Sequence, residues 1–133
     1  MKNYNIYKHP DGKIEAVKQG WSWPAFFFGW IWALIKQLWM VAGLLIAYAI
    51  ISSIVIQLMI LPSYDYYEYG GQDLSQAFLL QSISLLIQLG IAIYLGVKGN
   101  SLREANLIKR GYECIGNINA VNPDSAISDA LKN

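Results

Sequence analysis

The sequence predicts a membrane α-helical fold: a two-span transmembrane hairpin preceded by a short aromatic helix, re-entrant or interfacial, with a small cytoplasmic α+β cap from both termini. Three observations predict it. Two long apolar runs carry no charged side chain, a dense aromatic group precedes the first run, and both terminal segments show strand and turn patterns. Composition agrees, because 55% hydrophobic and 14% charged residues are unusual for a soluble domain of 133 residues.

The two apolar runs are long enough to cross a bilayer. Residues 38–61 and 78–97 supply 24 and 20 uncharged residues, and a hydrocarbon core ~30 Å thick needs about 20 helical residues. We therefore expect transmembrane helices over residues 37–61 and 78–97. An external loop over residues 62–77, acidic and rich in tyrosine, joins them.

The distribution of charge predicts an orientation. No lysine or arginine occurs between Lys36 and Lys98, where the charges are Asp65, Glu68 and Asp73. The positive-inside rule then places both termini in the cytoplasm and the loop outside. The first twenty residues are polar and do not read as a cleavable signal peptide, so we expect a multi-pass protein whose first span acts as its own insertion signal.

Residues 21–36 form the densest aromatic segment of the chain. Pro24 suits the first turn of a helix, because no N–H is needed there. The 11 residues that follow reach only ~17 Å and show no polar face before Lys36, so we expect a helix that is re-entrant or interfacial. Its aromatic residues form either an interfacial belt or a docking surface for a partner membrane protein. The candidate interaction surface comprises Trp21, Trp23, Phe27, Trp30, Trp32 and Trp39.

Small and polar residues inside the apolar runs predict how the two spans pack. Gln57 and Gln81 fall at the same outer depth, serines follow about one turn deeper, and small residues pair in the cytoplasmic half. We expect hydrogen bonds and close approach between the helices rather than a polar pathway, because no ionisable group lies within the spans. The predicted packing residues are Gly43, Ala47, Ser53, Gln57, Gln81, Ser84, Gln88, Ala92 and Gly96.

The terminal segments predict the cap. Residues 1–20 read as a hairpin around the turn Pro10–Gly12. In the tail, residues 98–133, we expect Gly99 to stop the second span and Ser101 to cap a new helix that ends at Gly111. A strand over 112–121 and a helix after Asn122 complete the tail. Alternation along this strand predicts one face that carries Tyr112, Cys114, Ile118 and Ala120. About 55 cytoplasmic residues make a marginal core, so the cap and spans should fold as one unit.

No residue pattern indicates catalysis, a cofactor or a metal. His9, the single histidine, lies in a predicted turn, and Cys114, the single cysteine, has no base near it in sequence. The acidic residues of the loop match no calcium motif. Acids nearly balance bases in the tail, which argues against nucleic-acid binding. We therefore expect a protein that is not an enzyme.

Two strings carry a family resemblance: residues 20–29, Gly-Trp-Ser-Trp-Pro-Ala-Phe-Phe-Phe-Gly, with Trp32 and Trp39 following, and residues 99–104, Gly-Asn-Ser-Leu-Arg-Glu, continuing to Lys-Arg-Gly-Tyr at 109–112. They resemble a bacterial domain-of-unknown-function family of small inner-membrane proteins. The resemblance implies placement in the bacterial inner membrane and implies no activity.

Three function classes compete at this point. The leading hypothesis is a non-enzymatic adaptor or accessory protein: the spans anchor it in the lipid bilayer, and the aromatic segment and cap bind another membrane protein. The alternative is a subunit of a small oligomeric transporter or pore, in which the chain associates with itself. A membrane enzyme is the third class, and no residue pattern supports it.

Overall fold

The computed structural model describes residues 1–60 and 74–132, which form four helices and three strands. In chain order these are β1 (Lys2–Lys8), β2 (Ile14–Lys18), α1 (Trp23–Ile35), α2 (Trp39–Ile60), α3 (Leu74–Lys109), β3 (Glu113–Ala120) and α4 (Pro123–Lys132). Stretches Trp39–Met59 and Phe78–Lys109 are long and apolar enough to cross a membrane. Most of the predicted loop, with Asp65, Glu68 and Asp73, lies outside the described residues.

The predicted N-terminal hairpin is present, and its turn is well bonded. The backbone N–H of His9 donates to the carbonyl of Lys13 at 2.8 Å, and Gly12 has a φ of 93°, which favours glycine. The carboxylate of Asp11 accepts the N–H of Lys13 at 3.2 Å. This hydrogen bond, together with His9 and Lys13, lowers the pKa of Asp11 below its ordinary value.

The sheet joins the two ends of the chain. β1 lies in the middle and pairs antiparallel with β2 on one side and β3 on the other. Alternate residues of β1 face opposite ways: Tyr4 and Ile6 pack with α4, whereas Tyr7 packs with Leu107 of α3. The sheet is therefore held between α4 and the C-terminal end of α3.

β3 interrupts the regular alternation predicted over residues 112–121. Gly116 lies opposite Ile6 and Cys114 opposite Tyr7, so Ile115 is an extra residue in a β-bulge. Tyr112 is buried and Cys114 is exposed. The bulge puts Cys114 on the face of Tyr7, whereas Ile118 lies opposite Tyr4 on the other face. The predicted face shared by Cys114, Ile118 and Ala120 is therefore wrong.

The second candidate span and the helix predicted after it are one continuous helix. α3 has no break between Leu74 and Lys109, so the prediction that Gly99 ends the span is wrong, and residues 74–77 belong to the helix rather than to the loop. The C-terminal end was predicted correctly. Gly111 has a φ of 89°, and the N–H of Tyr112 donates to the carbonyl of Leu107 at 3.1 Å, which is a Schellman cap.

The turn between α1 and α2 is also a Schellman cap, but without glycine. The N–H of Leu38 donates to the carbonyl of Ala33 at 2.8 Å, and that of Gln37 to Leu34 at 2.9 Å. Leu38 and Ala33 are both buried in one apolar core. Gln37 carries the left-handed backbone, with a φ of 58°, which costs a non-glycine residue about 1 kcal/mol.

Candidate functional site

α1 is broken in its middle. Gly29 has a φ of 35° and a ψ of −103°, so two short helices meet there. Three contacts with α3 show the path of residues 20–37. At the start, the Gly20 carbonyl accepts a hydrogen bond from Asn100 Nδ2 at 2.8 Å, and at the break a Cβ on Gly29 would lie 3.8 Å from Leu95. At the end, the Gln37 carbonyl accepts a hydrogen bond from Asn106 Nδ2 at 3.4 Å. The successive contact partners on α3 are therefore Asn100, Leu95 and Asn106. The aromatic segment therefore first runs toward the middle of α3, as far as Leu95, and then returns to Asn106. Leu95 and Asn106 are about 16 Å apart along the helix axis.

The first part of the aromatic segment lies directly on two glycines of α3. A Cβ on Gly96 would come within 2.5 Å of the Trp21 ring, and a Cβ on Gly99 within 2.7 Å of the Ala25 Cβ. The backbone N–H of Ser22 also donates to the Gly96 carbonyl at 2.7 Å. Gly99 thus permits a close contact inside a continuous helix, which is why it does not end the span.

The predicted interaction surface divides into buried and exposed members. Trp32 is 5% exposed and belongs to the core with Ala25, Ala33, Leu38, Ala42 and Leu95. Trp21 is half-buried against Gly96, and its buried Nε1 has no hydrogen-bond partner among the residues that the structure describes. The remaining four members are large exposed aromatic residues: Trp23, Phe27, Trp30 and Trp39. Two of the six tryptophan and phenylalanine positions therefore hold α1 in place instead of presenting a surface.

α1 carries four exposed aromatic side chains, two of which stack on each other. Trp23 and Phe27 stack with ring centroids 5.8 Å apart and planes at 17°, and Phe26 supports Phe27 edge-on at 4.9 Å. Phe28 is 60% exposed and was missed in the predicted set, although the run of three phenylalanines pointed to it. We call Trp23, Phe27, Phe28 and Trp30 the aromatic face.

Most of the predicted polar packing residues line one cavity instead of bridging the long helices. The cavity has a volume of about 610 Å³ and lies between α2, α3 and residues 26–31 of α1. Within residues 1–60 and 74–132, the hydrogen bond that these polar side chains make lies along α3, from Gln88 Nε2 to Ser84 Oγ at 3.2 Å. The predicted packing residues on its wall are Ser53, Gln57, Gln81, Ser84, Gln88 and Ala92.

The small residues predicted to bring the two long helices together lie elsewhere. A Cβ on Gly43 would meet nothing within 4 Å, and one on Gly96 would meet Trp21. Ala47 is exposed. The close approach that the sequence predicted between the spans is made between α3 and the aromatic segment.

A polar cluster fixes the cap to the end of α3. Glu104 Oε1 accepts from Asn5 Nδ2 at 2.8 Å and from Gln19 Nε2 at 2.6 Å, and Arg103 forms an ion pair with Glu15. Sequence reasoning did not find this cluster, because the partners lie 85 to 99 residues apart.

Burial and charge shift two titratable groups near this cluster. Burial, with the Glu104 carboxylate nearby, raises the pKa of Tyr7 to about 12. Burial and the Arg103 guanidinium lower the pKa of Lys36 below its ordinary value. Each shift favours the uncharged form, which is what a partly dry environment between cap and helices produces.

Two side chains that could take part in a chemical reaction are those of His9 and Cys114. His9 Nδ1 lies 2.7 Å from Asp11 in the hairpin turn, and Cys114 is exposed on β3. In the described part of the chain, no group of three or more His, Cys, Asp or Glu residues is arranged to hold a metal ion.

These features define a mostly helical protein with two helices that are candidates to cross a membrane, a broken aromatic helix packed against both of them, and a three-stranded sheet at their end. The chain belongs to the family described as "Protein of unknown function (DUF2628)", whose model matches residues 4–109. The match includes most of the hairpin, the aromatic segment and all of α3. No curated protein and no solved structure matches the chain.

Proposed function

We propose that this protein is a non-enzymatic adaptor of the bacterial inner membrane, and that the aromatic face of α1 binds another membrane protein. The single observation that carries the proposal is the division of the aromatic segment into two roles. Trp21 and Trp32 hold α1 on α3, while the aromatic face stays exposed and two of its members, Trp23 and Phe27, stack on each other. Preordered aromatic side chains lose little conformational entropy on binding, and they are enriched in binding hot spots.

The distribution of charge in the sequence supports placing α1 at the cytoplasmic side. Lysine and arginine flank the candidate spans at the end where the sheet lies, which agrees with the positive-inside rule. β1 pairs with β3, so both terminal segments lie at the same end of the helices. α1 would then enter the membrane from the cytoplasm and return at Gly29, as a re-entrant segment.

The proposal differs from an interfacial belt in one respect. A belt places separate aromatic side chains at the headgroup level, where each contributes on its own to membrane affinity. The rings of Trp23, Phe26 and Phe27 contact one another, and such a cluster offers a shaped surface that a partner helix or loop can complement.

Affinity purification from membranes in a mild detergent tests the proposal. We expect a membrane protein to co-purify in constant ratio with the wild type and to be lost from a Trp23→Ala/Phe27→Ala variant. Tyr94→Ala is the matched control, because Tyr94 is 57% exposed on α3 and lies outside the aromatic face. Recovery of the wild type without a stoichiometric partner would contradict the proposal, as would equal recovery from both variants.

A subunit of an oligomeric transporter or pore is the second candidate, favoured by the glutamine and serine side chains on the cavity wall. Solute or ion flux through the purified protein in liposomes tests it. Flux that is abolished by Gln57→Leu and Gln81→Leu would favour this candidate over the adaptor.

A further inference from the structure

We propose that the cavity between α2, α3 and the tip of α1 binds the ring of an uncharged lipid quinone, and that the apolar tail follows a neighbouring cleft beside Trp30. This inference goes beyond the adaptor proposal and requires no partner protein. It requires only that α2 and α3 lie in a membrane.

The size and the lining of the cavity select an uncharged ligand. A volume of about 610 Å³ falls in the range of sites for drug-sized molecules. Among the described residues that line it, none is Asp, Glu, Lys, Arg or His. A phosphate or carboxylate head group would enter this space without a counter-charge, at a high desolvation cost. Phospholipids and fatty acids are therefore poor occupants.

Hydrogen-bond donors without acceptors select a ligand that has carbonyl oxygens. Ser84 is only 8% exposed and accepts from Gln88 at 3.2 Å, and its own hydroxyl proton has no acceptor among the described residues. The amides of Gln57 and Gln81 also line the cavity and make no hydrogen bond within residues 1–60 and 74–132. In hydrocarbon such groups need a partner. The two carbonyls of a quinone are acceptors that amide and hydroxyl donors satisfy.

Flat aromatic walls select a ring. Phe26 and three members of the aromatic face, Phe27, Phe28 and Trp30, line the cavity together with the polar residues. Aromatic side chains bind a planar ring by offset stacking or edge-on contact, worth about 0.5–1.5 kcal/mol beyond the burial of area. A neutral lipid without a ring, such as a diacylglycerol, would satisfy the donors but would not use this wall.

A second cleft accommodates the tail. It has a volume of about 530 Å³ and runs along α2 beside Trp30, with Ile46, Ile50 and Ile54 on its wall. Trp30, Ala49 and Ser53 line both the cavity and this cleft. A polar space adjoining an apolar one, at the surface of two candidate spans, matches a molecule with a compact polar head and a hydrocarbon tail.

The test measures binding of a short-tailed quinone, decylubiquinone, to the purified full chain in phosphatidylcholine nanodiscs. Quinones quench tryptophan fluorescence, so saturable quenching reports a dissociation constant. We expect Ser84→Ala and Gln81→Leu each to weaken binding about tenfold, which is the loss of one hydrogen bond. Ser82→Ala is the matched control, because the Ser82 hydroxyl bonds to the Phe78 carbonyl at 2.7 Å outside the cavity.

Two further comparisons make the assignment specific. Trp30→Phe should lose more of the quenching than Trp39→Phe, because Trp39 is exposed and does not line the cavity. Dioctanoylglycerol should compete at least tenfold more weakly than the quinone. Circular dichroism of each variant establishes that the helices are intact.

Several results would overturn the inference. They are quenching that does not saturate, equal affinity of the Ser84→Ala and Ser82→Ala variants, and diacylglycerol binding as tight as quinone binding. A dimer that forms without quinone and is lost on Gln81→Leu would assign the cavity to a second copy of the chain, and would overturn the inference as well. None of these results depends on whether a partner protein co-purifies.

Discussion

Substituting Gly99 by alanine tests the contact that positions the aromatic segment. The new Cβ would lie 2.7 Å from the Ala25 Cβ and 3.2 Å from the Trp32 ring. Ala25 is completely buried and has no rotamer to change, so α1 itself must shift. Overpacking of this kind costs about 1–3 kcal/mol, and alanine in place of glycine returns about 1 kcal/mol of helix propensity. We therefore expect Gly99→Ala to lower the free energy of unfolding by up to about 2 kcal/mol.

Gly90→Ala is the matched control in the same helix. A Cβ there would meet nothing within 4 Å, so only the propensity term remains and the variant should be as stable as the wild type or up to about 1 kcal/mol more stable. Denaturant unfolding in mild detergent, followed by tryptophan fluorescence, gives both values.

A double substitution identifies the cause of the loss. Ala25→Gly removes the opposing methyl group, so the losses of stability caused by Ala25→Gly and by Gly99→Ala should not add. The double variant should be about 1–2 kcal/mol more stable than the sum of the two single losses predicts. Additive losses would refute the reasoning, as would equal stability of Gly99→Ala and Gly90→Ala. Either result would mean that α1 does not lie on Gly99.

Three further substitutions test other parts of the fold. Gln37→Gly should raise the free energy of unfolding by about 1 kcal/mol, since glycine adopts the φ of 58° without strain; a loss of stability in the same denaturant assay would contradict the Schellman cap. Glu104→Ala should cost about 2 kcal/mol and Glu104→Gln about half as much, because glutamine keeps one acceptor for the two amides; equal losses in chemical denaturation would contradict this. Tyr7→Phe should make the free energy of unfolding depend less on pH above pH 10. The pKa of Tyr7 is raised from 10.0 to about 12, so the stability that Tyr7 contributes is complete below pH 10 and falls by roughly 3 kcal/mol as the pH rises past 12. Identical pH profiles of wild type and variant would exclude that shift.

The sequence predicted what depends on local pattern. The hairpin turn at Pro10–Gly12, the helix start beside Pro24, the cap at Asn122 and the two apolar helices all follow from residues close together in the chain. Turn chemistry, capping and apolar length act over a few residues or along one helix, so a single sequence shows them.

The sequence did not predict what depends on distant contacts. Gly99 reads as a helix stop, and only the neighbouring Ala25 and Trp32 reveal it as a packing position. Gly29 breaks α1 where nothing in the local apolar pattern marks a turn. Gln57 and Gln81 both line the cavity between α2, α3 and α1. Only the packing of α1 against both long helices shows this, and the sequence pattern of the spans does not contain it.

The most direct test of the central claim is site-specific photo-crosslinking from Phe27 in native membranes. Phe27 is 67% exposed in the aromatic face, and a photoreactive phenylalanine analogue there changes the surface little. The account predicts one discrete crosslinked protein from position 27 and none from the same analogue at Tyr94. Crosslinks to lipid alone at position 27, or the same product from both positions, would contradict the claim that the aromatic face binds another membrane protein.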